Sequence, residues 1–385
     1  MYWKYSRFEL NLQRYNKKNL CLGLLLILFF IIFFFLYSSS RPMTVYEEKR
    51  QEPNMYNSIF NQMQPLDGVS DIEYEIGLNL REQSSLVNFQ VWYLRDKDWE
   101  GYLENGLELS QLRLRVHELG NLGLPPNMII PVNEILKEKA FLTYIDEHHL
   151  EFQMDAITSS QYLVEALGTI SGFVFLLFIL MFASEILIFE ARHKSVLKGI
   201  PLSFMSKVHS KVMVSFICIS LFLLVGFGLG GLFAAWQSSP GDFAAPVVIY
   251  QGGEFIAIST LKFYLLVMIG FFLVTVFLLY LTVLLNIVFK NAYATIMFGL
   301  GVFFIPDIFS SVGLHVSWLH TIKLIDIHAI LLGNSTVQYS FSQIDYTYAL
   351  IAIFIATLII ISVIYGINKK NYLEKFKQKE PSSQS

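Results

Sequence analysis

Only two cysteines occur in the 385 residues, Cys21 and Cys218, and both fall inside long apolar runs. A disulfide-stapled ectodomain is therefore excluded. Charge is also scarce: Asp, Glu, Lys and Arg make up 15% of the chain, against 54% hydrophobic residues that include 34 Phe. That balance leaves no water-compatible surface for an ordinary soluble enzyme. Nowhere does Gly-Lys-Ser or Gly-Lys-Thr occur, so the phosphate-cradling loop of an ATPase is missing. His117-Glu118 lacks the second His of H-E-x-x-H, and His148 and His149 are adjacent rather than on one helix face. No zinc hydrolase, and more generally no metal or other cofactor, is expected. Internal repeats are absent, and no nucleic-acid partner is expected.

Long apolar runs dominate what is present. A helix needs about 20 apolar residues to cross about 30 Å of hydrocarbon. Six segments qualify, at Leu20–Tyr37, Leu167–Phe189, Val212–Trp236, Leu261–Phe289, Tyr293–Phe309 and Tyr346–Ile367. The fourth and fifth are separated by Lys290, Asn291 and Ala292 alone, which makes them a tight hairpin. Each is expected to be helical, because an open sheet edge would leave backbone groups unsatisfied in lipid. The first run is too long for a signal-peptide core and has no A-x-A-like cleavage site, so it is read as an uncleaved anchor.

Charge placement orients these spans. Lys4, Arg7, Arg14, Lys17 and Lys18 precede the first run; Arg192, Lys194, Lys198, Lys207 and Lys211 follow the second. Lys290 follows the fourth, and Lys369, Lys370, Lys375, Lys377 and Lys379 follow the sixth. With six alternating spans all four basic segments share one side, which the positive-inside rule makes cytoplasmic, with both termini there. Between Arg41 and Ser160 the balance reverses to 20 acidic against 10 basic residues. The fold class is therefore an all-α polytopic membrane protein with a mainly helical extracytoplasmic domain between the first and second spans. A domain without disulfides in that position is compatible with a Gram-positive bacterial surface.

In this division residues 1–19 form a cytoplasmic amphipathic interfacial helix, whose stripe is Tyr5, Phe8, Leu12 and Tyr15, or else a basic tail that fixes topology. Residues 20–37 form the first span and 38–166 the external domain. Within it Asp98–Leu119 and Val132–Ile145 have helical periodicity, Pro125-Pro126 separates them, and Val87, Phe89, Val91 and Tyr93 alternate as a strand would over Leu86–Leu94. Residues 167–367 hold the remaining spans, with an outer re-entrant or interfacial element at about 307–345, and 368–385 a basic cytoplasmic tail. In that outer element His320 and His328 flank Asp326. Ionisable groups at membrane depth are candidates for a proton or cation relay; the alternative is that they are solvated at the interface.

The loop at 190–211 is the most suggestive segment. Glu190, Arg192, Lys194, Val196, Leu197 and Lys198 read as a short charged helix, Gly199-Ile200-Pro201 as a break, and Ser203 as the N-cap of the next span. Such a knob suits docking in a groove on a partner, or is a basic turn that obeys topology. In this respect the chain resembles the membrane subunits of type 2 ABC exporters. Those proteins have an amphipathic N-terminal helix, six spans, internal termini, an external element before the sixth span, and a coupling helix between spans two and three. Many carry an acidic residue, Gly-Thr, paired aliphatics, a small residue and Pro-x-Ser in that loop. Glu190, Val196, Leu197, Gly199, Pro201 and Ser203 match, whereas Arg192 and His193 stand where Gly-Thr is usual. A large domain between the first two spans occurs in only some members.

The resemblance implies an ABC exporter permease with no catalytic residue of its own, driven by a separate cytoplasmic ATPase through the 190–203 loop. It also implies a dimer with itself or with a second permease, and a hydrophobic or amphipathic cargo. Two rival classes stand beside it: a membrane-anchored sensor or immunity protein that binds a ligand through the external domain, and an intramembrane enzyme or ion-coupled carrier using His320, Asp326 or His328.

Overall fold

A computed structural model of the protein describes residues 1–63, 70–153, 155, 157–188, 201–314, 317–334 and 344–377. Of the described residues 79% are helical. Among the described residues five helices are long and apolar enough to cross a membrane, and a sixth candidate is a pair, Ser159–Ile170 and Phe173–Ala183, bent by 62°. The protein is thus a multi-pass, predominantly helical membrane protein.

Helix α1 (Tyr2–Tyr15) ends at Asn16, whose side chain accepts from the Asn19 amide and so caps α2 (Lys17–Ser39). The face that α1 buries is more polar than the expected stripe. Tyr5, Ser6 and Glu9 are buried, while Phe8 and Tyr15 are exposed.

The helical domain follows as α3 (Val45–Gln62), α4 (Asp71–Asp96), α5 (Trp99–Glu118), a 3-10 turn at Pro126–Met128 and α6 (Val132–His148). Thr44 with Glu47, and Ser70 with Glu73, form reciprocal capping boxes that fix where α3 and α4 begin. The expected strand at Leu86–Leu94 is instead the C-terminal part of α4. Ile76, Leu80, Gln83, Val87, Gln90 and Leu94 recur at helical spacing and are buried, whereas Phe89 is exposed. The alternation of apolar residues there was a by-product of two apolar faces on one helix.

Helices α7 (Ser159–Ile170) and α8 (Phe173–Ala183) form the bent pair. A continuous second span from Leu167 is corrected on two counts: the helix starts at Ser159, and it breaks at Ser171-Gly172. Gly172 sits at φ +69°, a conformation that side chains with a Cβ rarely adopt. Helix α9 (Phe204–Gln237) then crosses the whole bundle.

An antiparallel hairpin, β1 (Pro246–Gln251) and β2 (Glu254–Ser259), joins α9 to α10 (Thr260–Phe289). This two-stranded sheet is the one sheet among the described residues, and the rest agrees with the all-α polytopic expectation. Its two-residue turn is Gly252-Gly253, both at positive φ, as tight hairpins require. The hairpin also ties the helical domain to the bundle: Lys137 of α6 lies 5.2 Å from the Phe255 ring centre and donates to Asn334 at 3.4 Å.

Helix α10 is the centre of the bundle. Of its apolar stretch 61% is buried, against 17–33% for the other four long helices. After α11 (Ala292–Ser311) come a 3-10 helix at Ser317–Ile325, the short α12 (Ile327–Leu331) and α13 (Tyr346–Lys377). The element expected to be re-entrant is therefore two short helical pieces, with Leu324, Ile325, Ile327, Ile330 and Leu331 buried in the main core. Helices α2 and α9 approach closely over glycine: the Phe222 ring covers Gly23, and Phe30 covers Gly226 and Gly230.

Candidate functional site

Three places gather polar groups inside this fold. The first is the bundle end where α1, α8 and α9 meet, called here the loop end. Of the residues expected to contact an ATPase, Glu190, Arg192, Lys194, Val196, Leu197, Lys198 and Gly199 lie outside the described residues. Ser203 is described and is the N-cap expected of it: its Oγ accepts from the Ser206 amide at 3.2 Å. Pro201 stands two residues before it, outside any helix or strand.

From Ser203, α9 runs without interruption for 34 residues, roughly 50 Å at 1.5 Å per residue. Its start is held on two sides. On the α1 side Ser6 and Ser210 hydroxyls meet at 2.8 Å, and Lys211 pairs with Glu9 at 2.9 Å, both side chains more than nine-tenths buried. On the α10 side His209 Nδ1 and the Tyr280 hydroxyl are 2.6 Å apart. At the far end the Ser159 and Ser160 amides of α7 donate to the carbonyls of Ser239 and Pro240, at 2.8 and 3.2 Å. A single uninterrupted helix therefore connects Ser203 to the start of α7. Glu185, near the end of the second span, is half-exposed and lies 3.6 Å from Lys18; an exposed pair of this kind contributes little stability.

The second place is the break in the bent pair. Asp326 caps α12, accepting from the Ala329 amide at 3.2 Å, and its other carboxylate oxygen would lie 2.7 Å from a Cβ on Gly172. The His328 amide donates to Ser171 Oγ at 3.2 Å, and its ring stands edge-on to Phe263 with centres 5.6 Å apart. His328 is 9% exposed, with the Val164 carbonyl and the Asp326 carboxylate as the polar groups that act on its ring. Its neighbour Ile327 packs on Gly270, ten residues into α10, about 15 Å from that helix's first residue. The structure thus places Asp326, partly buried, and His328, buried, beside the Ser171-Gly172 break. The His320 side chain lies outside what is described.

The third place carried no signal in the sequence, because its members are far apart along the chain. Arg113 of α5, 4% exposed, donates to Glu52 of α3, to Glu138 of α6 at 2.9 Å and to the Tyr56 hydroxyl at 3.1 Å. Lys49 reaches the same two carboxylates at 3.0 and 2.5 Å, and Tyr56 donates to Gln83 of α4 at 2.8 Å. All four helices of the domain are joined by this network. Burial alone would push the Glu52 carboxyl up, but the Lys49 ammonium and Arg113 guanidinium beside it hold it below the usual carboxylate range. A groove of about 620 Å³ lies over the network, with Glu48, Glu134 and Lys137 among its polar walls and Phe141 and Phe152 among its apolar ones.

Two histidine positions weighed for metal are accounted for otherwise. His117 Nε2 is 2.7 Å from the Ile130 carbonyl, and His148 Nδ1 3.0 Å from that of Tyr144. Among the described residues no three His, Cys, Asp or Glu side chains converge to hold a metal ion. Comparison with known proteins finds no matching family model, no matching curated protein and no matching solved structure.

Proposed function

We propose that this chain is the permease subunit of an ATP-driven ABC exporter, embedded in the cell membrane of a Gram-positive bacterium with both termini in the cytoplasm. One observation carries the proposal: α9 is an unbroken helix of 34 residues that starts at a capped serine directly after the basic loop and is followed by residues hydrogen-bonded to the start of α7. A separate ATPase that closes on ATP would push on residues 190–203, and a rod of this length delivers the push across the membrane. The helical domain would then lie outside the cell, and a second permease, identical or paralogous, would complete a pathway for a hydrophobic or amphipathic cargo. The work is mechanical, so catalysis of ATP hydrolysis belongs to the partner.

The test is co-purification of the intact chain with its ATPase from native membranes, with the ATPase identified by its bound nucleotide and by mass spectrometry. Replacing both Val196→Asp and Leu197→Asp is expected to abolish the complex while membrane insertion is retained. Undiminished complex formation and transport in that double variant would refute the proposal.

A second proposal, a ligand sensor or immunity protein, draws on the 620 Å³ groove in the helical domain. It is favoured if the chain isolated from native membranes carries a ligand in that groove and no ATPase.

A further inference from the structure

Helix α4 carries two apolar faces, and only one of them is used inside the helical domain. Ile76, Leu80, Val87 and Leu94 are buried, while Tyr74, Leu78, Phe89 and Trp92, on the opposite side of the same helix, are each about half exposed. Three half-exposed aromatics and a leucine present on the order of 400 Å² of apolar surface. On a domain in water a patch of that size marks a site of interaction.

A row of charge runs beside this face. Glu100, Glu104, Glu108 and Glu118 are exposed along one side of α5, and Arg115 of the same row reaches Glu75 of α4 at 3.0 Å. At the other end the Tyr93 ring of α4, centred 5.2 Å from that of Trp92, covers Gly101 of α5. These two contacts make α4 and α5 antiparallel and set Glu100 and Glu104 next to the aromatic end of the open face. The five basic residues between Asp71 and Glu118 are already matched: Arg113 is buried in the network, Arg95 and Arg115 are in ion pairs, and Arg81 and Lys97 each have an acidic neighbour in sequence. Ten acidic residues occupy the same stretch. Glu100, Glu104 and Glu108 enter no ion pair among the described residues, so this surface keeps negative charge.

An apolar lane and an acidic lane therefore lie side by side, at the spacing of about 8–10 Å that packed helices have. A second copy of the surface would set carboxylates against carboxylates, and the same charge opposes an anionic lipid surface. Within the domain α6 packs on the β1-β2 hairpin, whereas α4 packs against α3 and α5. We propose that the outer face of α4 and α5 docks an amphipathic helix with a basic flank, supplied by another protein or a peptide. Its apolar side would lie on Leu78, Phe89 and Trp92 and its basic side on Glu100, Glu104 and Glu108, the helix-in-groove mode of recognition. The surface belongs to the helical domain and does not depend on whether the chain is an exporter.

The test uses the full chain in phosphatidylcholine nanodiscs and a fluorescent Leu-Lys peptide patterned as one amphipathic helix of about 18 residues, long enough to run from Tyr74 to Trp92. A peptide with Glu for every Lys is the comparison, and empty discs measure what the lipid retains. The Leu-Lys peptide is expected to bind discs holding the chain about tenfold more tightly than empty discs, and about tenfold more tightly than the Leu-Glu peptide does. Phe89→Ser with Trp92→Ser, and separately Glu104→Lys with Glu108→Lys, should each remove that advantage. All four side chains are exposed, so the domain keeps its fold, and hydrogen-exchange protection of α4 and α5 checks that it does. Retention no greater than by empty discs assigns the peptide to lipid and overturns the proposal. Equal binding of the two peptides, or binding unchanged in either folded double variant, overturns it as well.

Discussion

Arg113 illustrates why single residues decide the helical domain. Its guanidinium is surrounded by Glu52, Glu138 and Tyr56, with Lys49 bridging the two carboxylates, and none of the four helices can shift without breaking part of this set. Removing one member of a buried ion network leaves its partners uncompensated, which costs about 3–5 kcal/mol. Arg113→Met is therefore expected to lower hydrogen-exchange protection in α3 and α6 of the intact chain while α9 is unaffected; equal protection in α3 would contradict this. The pH dependence has a definite sign. The Glu52 carboxyl is held below its unfolded value, so its contribution is complete above the ordinary carboxylate range of about 4 and is lost as pH falls through the lower folded value. Loosening of Val45–Gln62 on acidification, ahead of the membrane helices, is the expected observation.

Among the elements, the bent pair is the one whose geometry depends most on a single glycine. Gly172 combines positive φ with an Asp326 oxygen 2.7 Å from where a Cβ would stand, so Gly172→Ala must strain the backbone, by about 1–3 kcal/mol, and displace the carboxylate that caps α12. Gly228 in α9 has nothing within 4 Å of the same position, and an alanine there gains up to about 1 kcal/mol of helix propensity. Thermal denaturation of the purified chain should fall for Gly172→Ala and hold or rise for Gly228→Ala; a fall in both would mean that Gly172 has no special role.

The same element shows the limits of sequence periodicity. Long apolar runs and capping residues were legible, because hydropathy and caps are local: the five unbroken candidate spans, Ser203 as an N-cap and the Pro125-Pro126 break all follow from neighbours in the chain. The bend at Ser171-Gly172 was not, since a lone glycine in an apolar run is ordinary until Asp326, more than 150 residues away, is placed beside it. Residues Leu86–Leu94 satisfied two periods at once, and only the buried set starting at Ile76 selects the helical one. The turn Gly252-Gly253 did carry a hairpin signal, flanked by Val247, Ile249, Phe255 and Ile258, but it was short enough to be absorbed into a loop between spans. The Arg113 network had no local signal at all.

At the scale of the whole molecule, the side each end faces is directly testable. From charge placement the loop end is expected on the cytoplasmic side. In a background of Cys21→Ser and Cys218→Ser, a cysteine introduced as Glu104→Cys on α5 should react with a membrane-impermeant maleimide on intact cells. One introduced as Lys4→Cys on α1 should react only after permeabilisation, and the opposite pattern would invert the topology. Both native thiols lie within spanning helices, so the background substitutions leave the helical domain untouched.

Two helical paths connect the ends of this molecule, and they differ in stiffness. Helix α9 is straight-through; α7 and α8 share an elbow of 62°, and at the domain end the two paths are pinned together by the Ser159 to Ser239 hydrogen bond. With the start of the rod held by α1 and α10 and its far end fastened to the arm, the elbow is the place where the arm can change its angle. If the proposed push on residues 190–203 occurs, the Ser171-Gly172 joint, beside Asp326 and His328, is where it would become a change of angle.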